Sequence, residues 1–195
     1  MTTYSRSERA ALCDLLDHVG PDAPTRCEGW AAHDLADHLF IRERRPAGAV
    51  GIFVPALAPL AQRASARAEE KYGYAGVVDL LRQGPPAWSV HHYLDEATNH
   101  LEYFVHHEDV RRAQPGWAPR VLEPGQEDAL WARLAGAVKL RVAKVPAGVV
   151  LRREGTDQEL RGSGDGPATV LVGPPSELVL YAFGRTSVAR LTESG

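Results

Sequence analysis

The sequence predicts an α+β protein, with a four-helix bundle over residues 1–116 and a small α+β domain over 117–195. Three observations carry that expectation. Apolar residues recur at helical spacing through four principal segments before Gln114. Proline and glycine groups separate those segments, at Pro21 and Pro24, Pro46, Pro85-Pro86 and Pro115-Gly116. Beyond a linker, Trp117–Gly125, the pattern changes to short runs of β-type residues.

Element by element, Ser5-Arg6-Ser7-Glu8 reads as a capping box, in which serine and glutamate each satisfy a free N–H of a first helix. Leu12, Leu15, Leu16 and Val19 form its apolar stripe, and Gly20 is placed to end it. A second helix is expected over Ala32–Arg45 and a crossover over 46–60. Helix returns over Ala61–Lys71 and Ala75–Arg82, punctuated by Gly73. The longest helix is expected over Val90–Gln114, capped by Ser89. After the linker come a helix over Gln126–Val142, strands at Gly148–Arg152, Glu159–Arg161 and Ala168–Val172, and a closing helix over Ser176–Phe183. Residues 162–167 (GSGDGP) lie between strands and read as a turn; a phosphate loop needs a helix directly after it, and none follows.

Composition narrows the function classes. A chain of 195 residues with 44% hydrophobic and 24% charged residues can bury a real core. A formal charge of −3 gives no electrostatic footprint for nucleic acid or an anionic membrane. The short basic groups Arg42–Arg45 and Arg111–Arg112 read first as solvated helix faces. No apolar stretch approaches a membrane span, the N-terminus lacks the apolar core of a signal peptide, and two cysteines make no disulfide framework. A cytoplasmic location is the default expectation.

All eight histidines precede residue 108, and five lie on or beside the long helix. On a wheel of about 100° per residue, Asp95, Thr98, Asn99, Glu102, His106 and Asp109 form one stripe. Tyr93, Glu96, His100, His107 and Arg111 fall on the opposite side. An amphipathic helix needs only one polar face for water, so one of these must face protein, where unpaired polar groups are costly. Glu102 and His106, one turn apart, can reach a single ion, and His38 sits at the margin of the Leu35/Leu39 stripe of helix two. One carboxylate and two imidazoles leave coordination positions open, as catalytic zinc sites do, with Asp109 or Asn99 placed to orient a ligand. A Glu–His pair at this spacing also occurs by chance in many helices, and only the wheel selects His106 over its neighbour His107. Cys27 has no identifiable base beside it and reads as a small buried apolar residue.

The segments Thr25-x-Cys27-x-Gly29-Trp30, Asp34-Leu35 with His38-Leu39, and Glu102-x-x-x-His106-x-x-Asp109 resemble the mycothiol-dependent maleylpyruvate isomerase family, within the wider DinB-like metal-binding four-helix bundles. Gly173-Pro-Pro-Ser-Glu-Leu178 followed by Gly184-Arg185 resembles the small α+β domain of that family, and Glu102–Ala113 resembles a metal-binding subgroup of unassigned chemistry. The resemblance implies His38, Glu102 and His106 as ligands of Zn2+ or a similar divalent ion, with mycothiol as co-substrate. It implies thiol transfer to, or cis–trans isomerisation of, a small electrophilic molecule. Arg42, Arg82 and Arg185 are candidates to bind thiol or substrate carboxylates. Ala31-Ala32 after Trp30 departs from the polar cap usual in the family at the start of helix two. Two other readings stand beside this one: a metal-binding protein of the same fold without thiol-dependent catalysis, and a metal-dependent hydrolase with Asp95 or Asp109 as base.

Overall fold

The computed structural model describes residues 4–44, 58–93, 95–140, 142–162 and 168–194. They form two compact units, Met1–Trp117 and Ala118–Gly195. The first contains α1 (Tyr4–Val19), α2 (Ala32–Arg44), α3 (Ala58–Arg82), the single turn α4 (Val90–Tyr93) and α5 (Asp95–Arg111). The second contains α6 (Pro124–Lys139), β1 (Val149–Arg153), β2 (Glu159–Arg161), β3 (Thr169–Gly173), α7 (Pro175–Ala182) and β4 (Thr192–Ser194). This is the α+β class the sequence predicts.

In the first unit the stripes of α1, α2 and α3 close on one core. Leu12, Leu16, Leu35, Leu39, Val78 and Leu81 are fully buried there beside Tyr103 of α5. Each such leucine contributes about 1.5–3 kcal/mol of burial. α3 is two helical pieces joined at Gly73, whose φ of 63° lies in the left-handed region that glycine tolerates best. The glycine punctuation expected there is thus real. Arg45, at the end of the expected second helix, and residues 46–57 of the expected crossover lie outside the described residues, and the chain is already helical at Ala58. Leu94 also lies outside them, between α4 and α5, in the stretch expected as one helix.

The capping box at Ser5 does not form. Ser5 lies inside α1, its N–H donating to Glu96 Oε2 and its hydroxyl to Asp95 Oδ2, both at 2.9 Å. Carboxylates from the first turn of α5 take over the free amide end of α1, so Glu8 is released to meet His107 Nδ1 at 2.7 Å. At α2 the departure at Ala31 is compensated locally: Asp34 accepts the Ala31 N–H at 2.9 Å, one half of a capping box.

Arg42, Arg44 and Arg112 of the basic groups are not solvated either, and Arg45 lies outside the described residues. Arg112 is 1% exposed, its Nε donating to Glu108 at 2.6 Å, and Arg44 donates to the carbonyls of Leu80 and Gly84 at 2.6 and 2.7 Å. Their long side chains serve as internal ties.

In the second unit the sheet order is β2-β1-β3-β4, with β1 parallel to β3 and both outer strands antiparallel to their neighbours. The edge strand β4, three exposed residues, carried no apolar alternation and is not foreseen by the sequence. Leu130 and Leu134 of α6, Leu151 of β1 and Leu178 of α7 are fully buried. Of the expected turn at 162–167, residues 163–167 lie outside the described residues.

Arg9 ties α1, α2 and α5 together. Its guanidinium meets Glu43 at 2.9 Å and Asp95 at 2.6 Å, and lies 4.5 Å from the Tyr103 ring centroid. Removing one partner from a buried ion pair leaves the others uncompensated. Arg9→Ala is therefore expected to lower the unfolding free energy by about 3–5 kcal/mol in urea titration; a loss below about 1 kcal/mol contradicts this account.

Candidate metal centre

The loop between α1 and α2 is built by its own side chains. Thr25 Oγ1 donates to Trp30 O at 2.8 Å and accepts the Cys27 N–H at 3.1 Å. Gly29, at φ 76°, turns the chain so that the Trp30 N–H reaches Cys27 O at 3.0 Å. The loop is pinned to the end of α5, where the Arg26 N–H donates to Asp109 O at 3.0 Å and the Arg26 Nε to Arg112 O at 2.7 Å. This pinning places Trp30 over α2 and Cys27 against α5.

The three side chains singled out from the sequence converge. His38 Nε2 lies 3.2 Å and His106 Nε2 3.4 Å from Glu102 Oε1. Donor atoms of all three residues lie within 4.8 Å of one another. The two imidazole rings meet edge to face with centroids 5.3 Å apart. The side chains of His38, Glu102 and His106 are 14%, 26% and 11% exposed, so solvent-borne species reach the group.

Electrostatics tie the group together. Burial pushes Glu102 toward the neutral acid, but hydrogen bonds with His106 and His38, with the charge of Arg42, hold its pKa well below the carboxylate range. For His106, burial favours the neutral ring, and hydrogen bonding to Asp109, Cys27 and Glu102 outweighs it, raising its pKa well above 6.5. His106 thus sits between two carboxylates, Glu102 at Nε2 and Asp109 at Nδ1, the latter 3.0 Å away. His38, Glu102 and His106 meet at one point, with Arg42 Nε 3.6 Å from Glu102 Oε1. Two imidazole nitrogens and a carboxylate oxygen are a donor set that suits a divalent ion such as zinc. Asp109, accepting from Nδ1–H, fixes the tautomer that presents Nε2.

Several site groups differ from their sequence reading. Cys27 is not an isolated apolar residue: its Sγ lies 3.2 Å from Asp109 Oδ2 and 3.8 Å from His106 Nδ1. Cys27, His106 and Asp109 form a second cluster with metal-ligand spacing. Asp109 is fully buried there and already holds His106 and Cys27, whereas His38 and Glu102 reach the surface. Asn99 orients no ligand directly; it accepts from Arg42 Nη1 and donates to Asp95 Oδ1 at 2.7 Å and Glu43 Oε1 at 3.1 Å. Arg42 also donates to Thr98 O at 2.9 Å, and its Nε lies 3.6 Å from Glu102 Oε1. Of the three candidate arginines, Arg42 positions Glu102, Arg82 pairs with Asp14 and Asp17 on α1, and Arg185 donates to Phe183 O. Trp30, 5.1 Å from His38 between ring centroids, was missed as a wall of the site.

Two solved structures share this fold. The crystal structure of the mycothiol-dependent maleylpyruvate isomerase matches with a TM-score of 0.59 at 15% identity, over 100% of this chain and 96% of that one. A histidine-to-alanine mutant of that isomerase matches with a TM-score of 0.61 at 15% identity, over 98% of this chain and 90% of that one. No family model and no curated protein sequence matches. At this identity the likeness establishes the fold. No helix among the described residues is long and apolar enough to cross a membrane.

The loop geometry has a direct test. A Cβ at Gly29 meets nothing within 4 Å, so the cost of Gly29→Ala is backbone strain alone. We expect about 1–2 kcal/mol lost in urea unfolding; no loss contradicts the positive-φ turn.

Proposed function

We propose that this protein binds a divalent metal ion, most simply Zn2+, through His38, Glu102 and His106, and uses it for thiol-dependent chemistry on a small electrophile. The observation that carries the reading is the convergence of His38 Nε2 and His106 Nε2 on Glu102 Oε1, at 3.2 and 3.4 Å. The shared fold with a mycothiol-dependent isomerase supports mycothiol, or a similar low-molecular-weight thiol, as the co-substrate. When bound, the ion supplies Lewis acidity that lets a thiol lose its proton near neutral pH.

The chain's own residues do the rest. Asp109 fixes the His106 tautomer, and Arg42 holds the Glu102 carboxylate in place while offsetting its charge. Trp30 packs its ring 5.1 Å from that of His38, centroid to centroid. The reaction class is addition of sulfur to an electrophilic carbon. In a transferase the S–C bond remains and the thiol proton passes to the substrate; in an isomerase sulfur adds to a conjugated double bond, the new single bond rotates, and sulfur leaves.

The hydrolase reading needs a general base, and both candidates are engaged. Asp95 holds Arg9, Ser5 and Asn99, and Asp109 holds His106 and Cys27. That observation favours thiol chemistry. Metal retention without turnover is the remaining alternative.

The reading is tested by metal analysis of purified protein together with thiol consumption across a panel of electrophiles. His38→Ala and His106→Ala are each expected to abolish most bound metal; unchanged stoichiometry in both removes the ligand assignment. Asp109→Asn is expected to weaken metal binding about 10–100-fold in chelator competition. Full metal loading with no thiol turnover on any electrophile removes the enzyme reading and leaves the binding protein.

A further inference from the structure

Beside His38 the bundle opens into a cleft of about 670 Å3 between α2 and α3. That volume falls within the roughly 300–1,000 Å3 of small-molecule sites. His38 and Trp30 form one wall, so the cleft borders the proposed metal centre. Among the described residues its charged lining is one-sided: Asp34, Asp37 and Glu69 contribute carboxylates, Ser65 and Gln62 neutral polar groups, and no lysine or arginine lines it.

We propose that this cleft admits neutral or ammonium-bearing molecules to the metal centre and discriminates against carboxylate-rich ones, maleylpyruvate among them. The proposal rests on the reading of His38, Glu102 and His106 given above and adds the substrate class.

A dicarboxylate needs a cation to meet it, and the guanidinium beside Glu102 is already engaged: Arg42 serves Asn99, the Thr98 carbonyl and Glu102. Arg82 is held by Asp14 and Asp17 on α1. Within the cleft Asp37 takes the Ser65 hydroxyl. Asp34 takes the Ala31 N–H at 2.9 Å and has His33 Nε2 at 3.4 Å. The carboxylates of the described lining favour a cation, because a cleft lined by one sign of charge concentrates its counter-ions. Solvent reaches the cleft and screens that field, so the expected discrimination is moderate, on the order of tenfold.

Two measurements test this, and they separate it from the proposed function. The cobalt-loaded protein is titrated with cysteamine, 2-mercaptoethanol and 3-mercaptopropionate, and thiolate-to-cobalt absorption is followed. Cysteamine and mercaptoethanol are expected to bind on the order of tenfold more tightly than mercaptopropionate. Glu69→Lys is expected to close most of that gap at unchanged cobalt content. Equal or tighter binding of mercaptopropionate to the unaltered protein overturns the proposal and leaves the thiol reading intact.

The second measurement needs neither metal nor thiol. Tryptophan emission is quenched with caesium, acrylamide or iodide, and the part due to Trp30 is taken as the difference from Trp30→Phe. Caesium is expected to quench that component more strongly than iodide, relative to acrylamide, and Glu69→Lys to reverse the order. Iodide quenching equal to or above caesium overturns the proposal. Cobalt binding with no thiol band overturns the thiol reading instead, and the quenching ratio still decides the charge preference of the cleft.

Discussion

Helix α5 carries acids and imidazoles on both sides, and folding buries most of them. Asn99, His100, His106, His107, Glu108 and Asp109 are all buried. Each such group must find a partner inside the protein, because an unpaired buried charge costs several kcal/mol. That requirement organises the bundle. On the side toward α1, Glu96 takes the Ser5 N–H, His100 stacks on Tyr4 and His107 meets Glu8. On the side toward α2, Arg9, Glu43, Asp95 and Asn99 form one hydrogen-bonded group. Glu102 continues that stripe one turn further along.

The two sides end differently. Toward α1 a carboxylate meets an imidazole at His107 and Glu8, and an amide at Glu96 and Ser5. Toward the loop at Cys27, two carboxylates flank one imidazole, and a second imidazole comes in from α2. That end is also the one with access to solvent and to the cleft beside His38. The convergence of ligand atoms, the accessible position and the adjoining cleft fall at one place on the molecule. The proposed cation-binding centre accounts for all three, and the proposed charge preference of the cleft concerns which molecules approach it.

Much of this was legible in the sequence, for identifiable reasons. Helical periodicity located α1, α2 and the α5 stripe, because one turn brings residues four apart onto one face. It selected His106 over His107 correctly as the neighbour of Glu102, and the structure gives His107 a different task, binding Glu8. Gly73 marked a break because only a residue tolerant of positive φ ends one helix and starts another without strain. What escaped the sequence was long-range. Ser5 and Glu8 satisfy a local capping pattern, yet carboxylates some 90 residues away take the role, and nothing in the first helix announces them. The place of Cys27 depends on how Arg26 pins its loop to α5, a contact 86 residues distant. The role of Arg42 follows from its partners across the helix interface, where the sequence offered only a charge. β4, three exposed residues without apolar alternation, left no periodic trace.

Metal binding at this centre turns on the identity of three donor atoms, one each from His38, Glu102 and His106. X-ray absorption at the metal edge of the thiol-free, metal-loaded protein measures them most directly. The account predicts a first shell of nitrogen and oxygen at about 2.0–2.2 Å, with the outer scattering of two imidazoles and no sulfur. A sulfur neighbour at about 2.3 Å transfers the ion to Cys27, His106 and Asp109 and contradicts the assignment made here.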